Sequence, residues 1–197
     1  MAEYAGPSAG LPKAGRPRDP DADRRILEAT LQLISERGYA SLRVGDIADR
    51  AGVSKATMYR RWSSKAHLAV AAVRSLPTRS DIDTGDLRED LGGIVGEFAE
   101  MFVTTPLSSV LPALVVEASR DPELALALEP LRNERTRPII VALQRGLARG
   151  EIAPTLDLDF AVSLVTGPVL ARLFLGDSIE DGFVVRVVDA AVRALAP

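Results

Sequence analysis

A chain of 197 residues with 47% hydrophobic and 26% charged side chains has the makeup of a globular protein, one domain or two modest ones. It has no cysteine and one histidine, which excludes a disulfide framework and a thiolate metal site and leaves a multi-histidine site or a Ser-His-Asp triad without its parts. The net charge of −3 hides a division: residues 1–79 hold 14 Lys and Arg against 8 Asp and Glu, the remainder 10 against 19, so a basic head stands on an acidic body.

The opening MAEYAGPSAG lacks the basic-then-apolar order of a signal peptide, and no run approaches a membrane span, so a cytoplasmic, nucleoid-associated protein with no membrane partner is expected. Residues 1–20 are rich in Pro, Gly and Ala without apolar periodicity and read as a disordered arm. Within it Gly15-Arg-Pro-Arg18 has the composition of an arginine arm that enters an A·T-rich minor groove through Arg16 and Arg18; a floppy tail is the alternative.

The head, residues 21–76, begins with a helix capped by Asp19 or Asp21, with Pro20 in its first turn; it buries Ile26, Ala29, Thr30 and Leu33 and ends at Gly38. Val44, Ile47, Ala48 and Ala51 give a short second helix closed by Gly52. Ser54 caps a third helix, Lys55 to about Arg61, which sends Met58 and Trp62 inward and leaves Lys55, Thr57, Tyr59, Arg60 and Arg61 outside. Two short helices joined by a glycine-containing turn form a helix-turn-helix, whose second helix fits the major groove. The cations suit phosphates, and the hydroxyls of Thr57 and Tyr59 suit phosphate oxygens or base edges. Two packed helices with a solvated basic face are the bland alternative. Ser64 caps a fourth helix from Lys65 to about Leu76, and the polar PTRSDIDTGD stretch, 77–86, marks the domain boundary.

The string Ala51-Gly-Val-Ser-Lys-Ala-Thr-Met-Tyr-Arg-Arg-Trp-Ser-Ser-Lys65, preceded by Gly38-Tyr39 and Asp46-Ile-Ala48, resembles the N-terminal signature of the tetracycline-repressor (TetR) family. The resemblance covers Arg24 to about Val73. It implies a homodimeric transcriptional regulator, most often a repressor, released from operator DNA by a small molecule, and neither an enzyme nor a protein with a cofactor. It implies DNA contacts from Arg43, Val44, Lys55, Ala56, Thr57, Tyr59, Arg60, Arg61 and Lys65, the last as a phosphate-binding lysine. Two departures stand out: Arg43 replaces the usual capping threonine before the second helix, and Gly45 replaces a larger base-contacting residue.

The body, residues 87–197, reads as helices only, for an all-α chain of about nine. A fifth helix carries Leu87, Leu91, Ile94, Val95, Phe98, Met101 and Phe102, and a sixth runs to about Arg120. Pro130 and Pro138 predict a short helix followed by a long one, bent or broken near Pro138. The last two helices carry Val162, Val165, Val169 and Leu173, then Val184, Val188, Ala191 and Leu195, a spacing suited to helix seams. By resemblance these stripes pair with a second subunit; completing the monomer's own core is the alternative. An aliphatic effector pocket is expected among the body helices, with Phe98, Met101, Phe102, Leu114, Leu143, Leu147 and Phe174 as lining and Glu117, Arg120 or Arg172 as polar anchors.

Three function classes follow. One is an operator-binding regulator released by a small apolar or amphipathic effector, and another an architectural DNA-binding protein without a ligand. The third, a small helical enzyme, lacks a convergent acid-base pair.

Overall fold

The computed structural model describes residues 20–77, 82–180 and 182–197, and the arm with Arg16 and Arg18 lies outside them. Among the described residues there are nine α-helices and no strand: α1 (Pro20–Arg37), α2 (Val44–Ala51), α3 (Lys55–Tyr59), α4 (Lys65–Arg74), α5 (Leu87–Thr104), α6 (Leu107–Ala118), α7 (Pro122–Ala148), α8 (Leu158–Leu175) and α9 (Phe183–Leu195).

Short helices need well-made ends, because a helix leaves four amides and four carbonyls unsatisfied at its termini. Gly52 closes α2 in the left-handed conformation, φ 66°, and its amide returns to Ala48 and Asp49. The Ser54 side chain accepts from the Thr57 amide to start α3, and Ser64 accepts from His67 to start α4. Arg43 makes no side-chain cap for α2. The third helix stops at Tyr59, earlier than its sequence suggests, and Arg61 and Trp62 close a turn by donating their amides to the Met58 carbonyl. Ile26, Ile34, Ile47, Met58 and Leu68 are fully buried at the centre of the head.

The prolines of α7 do not break it: one helix runs from Pro122 to Ala148 with Pro130 and Pro138 inside. An interior proline removes one backbone hydrogen bond and costs about 3 kcal/mol. Burial of Leu124, Leu131, Ile139, Ala142 and Leu143 along the same helix offsets that loss. The sharp turn comes instead between α5 and α6, which meet at 95°.

The inward stripes of α8 and α9 also correct the sequence reading. Val165, Val169, Val188, Ala191 and Leu195 are buried within the single chain, and Val162, Leu173 and Val184 pack partly against the same core. None of the first five is open to a second copy. A different face is: Phe160 is 59% exposed, Leu175 76% and Val185 60%. By length and composition α8 could cross a membrane, with a mean hydropathy of 1.6 over 18 residues and only 22% of that window buried, so the expectation that no run approaches a span is corrected too. A helix apolar all round offers two stripes, and periodicity alone does not say which faces the core.

Head and body share one continuous core, with α1 against α6 and α4 against α7. Polar bridges reinforce the joint. Tyr39 donates its hydroxyl to Asp121 (3.2 Å), the Ser35 and Ser109 hydroxyls pair at 2.7 Å, and Arg74 meets Glu134 at 2.9 Å. Desolvation, with Asp121 beside it, pushes the Tyr39 phenol well above its ordinary pKa. Residues 82–86 are fastened to the body: the Ile82 carbonyl accepts from Arg145 (3.1 Å), and buried Asp90 accepts from the amide and hydroxyl of Thr84. Gly93 leaves room for Ile82, since a Cβ there would fall 2.7 Å from Ile82 Cδ1.

Candidate functional site

The outer face of α3 carries the candidate DNA contacts. Tyr59 is 64% exposed, and Ala56 and Arg60 are exposed beside it. Lys55 is exposed and lies back across α2, where a Cβ on Gly45 would sit 3.1 Å from its Cε and 3.2 Å from its Nζ. Arg43 is exposed just ahead of α2, and Val44 is half-buried against the core. No carboxylate among the described residues pairs with Arg43, Lys55 or Arg60, which leaves three exposed cations available for phosphates.

Other expected contacts have internal work. The Thr57 hydroxyl pairs with the Ser54 hydroxyl at 2.9 Å and lies 3.4 Å from Arg60 Nη2. Arg61 forms an ion pair with Asp23 of α1 and so clamps the end of the reading helix to its support. Lys65 donates to the Tyr39 carbonyl (3.2 Å) with its ammonium 4.2 Å from the centre of the Tyr39 ring. An ammonium has three N–H donors, so Lys65 can hold this loop and still face an anion. Arg50 grips Glu36 with two hydrogen bonds at 2.7 and 2.8 Å, holding that carboxyl below its usual range, and Arg37 stands 3.6 Å from Asp46. These pairs occupy cations that the sequence alone presents as equally free.

The body holds a cavity of about 810 Å³ walled by α5, α6, α7 and α8. Phe98, Met101 and Phe174 stand on its wall, as does Pro77 just beyond α4. The other expected lining residues do not. Phe102 is buried behind the wall, edge-on to Phe98 with ring centroids 4.7 Å apart, and Leu114 and Leu143 are fully buried in the core. Leu147 is exposed on the outer surface. Glu117 turns to Arg120 (3.7 Å), while Arg172 donates to the Ser178 carbonyl (3.0 Å) and stacks on Phe183. A helical apolar stripe marks wall and core alike, which is why spacing could not separate them. The charged groups on the wall are Glu97, Glu100, Glu129, Arg132 and Arg135, none of them singled out by a sequence signal. Among the described residues no group of three His, Cys, Asp or Glu could hold a metal ion.

A capped helix-turn-helix with an exposed basic reading helix, joined through one linking helix to a hollow helical body, defines a DNA-binding transcriptional regulator. Residues 26–72 match the family described as "Bacterial regulatory proteins, tetR family", and residues 81–191 match "Tetracyclin repressor-like, C-terminal domain". The chain is 34% identical over 179 residues to the uncharacterized HTH-type transcriptional regulator YdeS of Bacillus subtilis, covering 87% of this chain and 88% of that protein. It is 30% identical over 174 residues to the DNA-binding transcriptional repressor TetR of Mycobacteroides abscessus, covering 86% and 91%. The crystal structure of the TetR family regulator SCO0332 superposes with a TM-score of 0.68 at 30% identity, over 90% of this chain and all of that one. The protein belongs to the TetR family of transcriptional regulators.

Proposed function

We propose that the protein is a cytoplasmic repressor that binds a two-fold symmetric operator as a homodimer and leaves it when a small apolar or amphipathic effector fills the body cavity. The observation that carries this reading is the joint: Pro77, three residues past the end of the helix that supports the head, belongs to the cavity wall. Filling the cavity bears on that helix, and release follows only if the effector binds better to a conformer whose heads are wrongly placed. On the head, Arg43, Lys55 and Arg60 supply phosphate contacts, Tyr59 and Ala56 face the bases, and Lys65 serves both the Tyr39 loop and the backbone.

A second copy of the chain is the occupant that fits the bare face of α8 and α9. Phe160, Ala171 and Leu175 lie along one side of α8 and Val185 is bare on α9, and two such faces joined would remove an apolar surface that a single chain leaves in water. Selection of bound fragments from the source organism's DNA, followed by footprinting, tests the reading. Two related half-sites about 34–36 Å apart are expected. A footprint without repeated sequence, on a protein that sediments as a monomer, would point instead to architectural binding.

A further inference from the structure

One side chain belongs to both the cavity and the linking helix. Arg135, in the middle of α7, forms part of the cavity wall. Its Nη2 donates to the carbonyls of Val73 (2.9 Å) and Leu76 (3.2 Å) just at and beyond the end of α4, where the Val73 carbonyl also accepts the Leu76 amide (3.2 Å). Among the described residues, the Met101 thioether at 3.9 Å is the hydrogen-bond partner of Nη1. No carboxylate among the described residues pairs with this half-buried cation, and burial pushes its pKa below the ordinary guanidinium value. A cation held in a mostly apolar cavity by carbonyls and a sulfur is short of an anion.

The geometry of a guanidinium turns that shortage into a link. Its parallel N–H pairs run along the Nε/Nη2 edge and the Nη1/Nη2 edge, so a carboxylate bound bidentately on either edge takes a hydrogen from Nη2. In this protein both Nη2 bonds go to the end of α4.

Resting on the reading of the cavity as the effector site, we infer that the effector is an organic acid with a hydrocarbon body, whose carboxylate docks on Arg135 and thereby strips a hydrogen bond from the last turn of α4. The aliphatic and aromatic wall takes the hydrocarbon, and Arg132 adds a second cation. Glu97, Glu100 and Glu129 also stand on the wall and repel an anion, which leaves Arg135 and Arg132 as the groups that can hold the carboxylate. Glu97 carries a buried Oε2 with no hydrogen-bond partner. A hydroxyl on the ligand body would satisfy it, which favours hydroxylated acids over plain ones. Arg135 is on this account both the anchor of the ligand and the switch that reports it, because the two sets of bonds compete for one nitrogen.

The test uses the full chain with matched acids and amides: decanoate against decanamide, and 4-phenylbutanoate against 4-phenylbutanamide. Thermal unfolding reads binding, and fluorescence anisotropy on the selected operator fragment reads release. The acids are expected to raise the melting temperature and weaken operator binding about tenfold, the amides to do neither. Arg135→Gln is expected to erase the preference for acid in both readouts. Arg135→Lys keeps the charge without the parallel N–H pairs, so it is expected to retain acid binding and lose most of the release. Amides acting as strongly as acids, or acids acting unchanged on Arg135→Gln, overturn the inference and leave the cavity reading standing. If neither member of either pair shifts melting or release, both fall.

Discussion

In the head, the supporting helices meet over small residues: Ala29, Ala48, Ala51, Ala66, Ala69 and Ala72 are all buried, and the pocket between Met58, Trp62 and Leu68 holds only about 10 Å³. In the body, α7 reaches 27 residues, helices carry interior prolines, and large side chains surround a cavity of about 810 Å³. Protein interiors ordinarily pack as densely as organic crystals, so the head follows the rule and the body departs from it. The contrast assigns rigidity to the part that reads DNA and free volume to the part that answers to a ligand. The joint between them is ordinary core plus a few polar bridges.

The sharpest way to break this picture is to put a charge on each side of α8. Val165→Asp buries a carboxylate in a closed core and should prevent folding, a loss of at least 3–5 kcal/mol. Phe160→Asp or Leu175→Asp should leave a cooperative melt while converting a dimer to a monomer in sedimentation and abolishing tight operator binding. A folded dimer carrying Leu175→Asp would remove that face from the interface.

Next comes packing density. Leu68→Ala in the head should cost about 3 kcal/mol in denaturant titration, because the dense surroundings cannot collapse. Leu170→Ala on the cavity wall should cost about 1 kcal/mol, since it enlarges an existing space. Equal losses would mean that the body is packed as tightly as the head.

Smaller effects separate free cations from paired ones. Arg60→Ala should reduce the salt slope of operator binding by about one unit, with a modest loss of affinity. Arg61→Ala should leave that slope nearly unchanged and lower the melting temperature, because its guanidinium is joined to Asp23.

The least effect is expected from the joint at high pH. Tyr39 has its pKa raised in the native state, so its contribution is intact below the unfolded value of about 10 and is lost as pH rises from there toward the native one. Wild-type melting temperature should fall above about pH 10 more steeply than that of Tyr39→Phe. The variant should start lower near neutrality because it lacks the Asp121 bond.

Much of the head could be read from residues in order, because each feature there has a local cause. Gly52 ends α2, Ser54 and Ser64 start the next two helices, and Met58 is inward by spacing alone. The body resisted for equally physical reasons. Pro130 and Pro138 are breakers by local propensity, and only the burial of their helix overrides them. On α8 the stripe of Val165 and Val169 and the stripe of Phe160 and Leu175 are both apolar, so choosing the inner one requires the neighbouring helices. Arg135 lies in a run of charged residues that reads as solvated surface, and its role depends on the end of a helix some 60 residues earlier in the chain. Arg61 and Arg60 are adjacent and chemically identical, yet one is paired with a carboxylate of α1 and the other reaches only the Thr57 hydroxyl of its own helix.

The missing side chain at position 45 has one more effect. With only hydrogen there, the Lys55 chain can recline over the start of α2. A single methyl, as in Gly45→Ala, would nudge that lysine to a new resting place while leaving every core contact alone. The strength of phosphate binding can therefore be tuned by one small substitution at a position outside the reading helix itself.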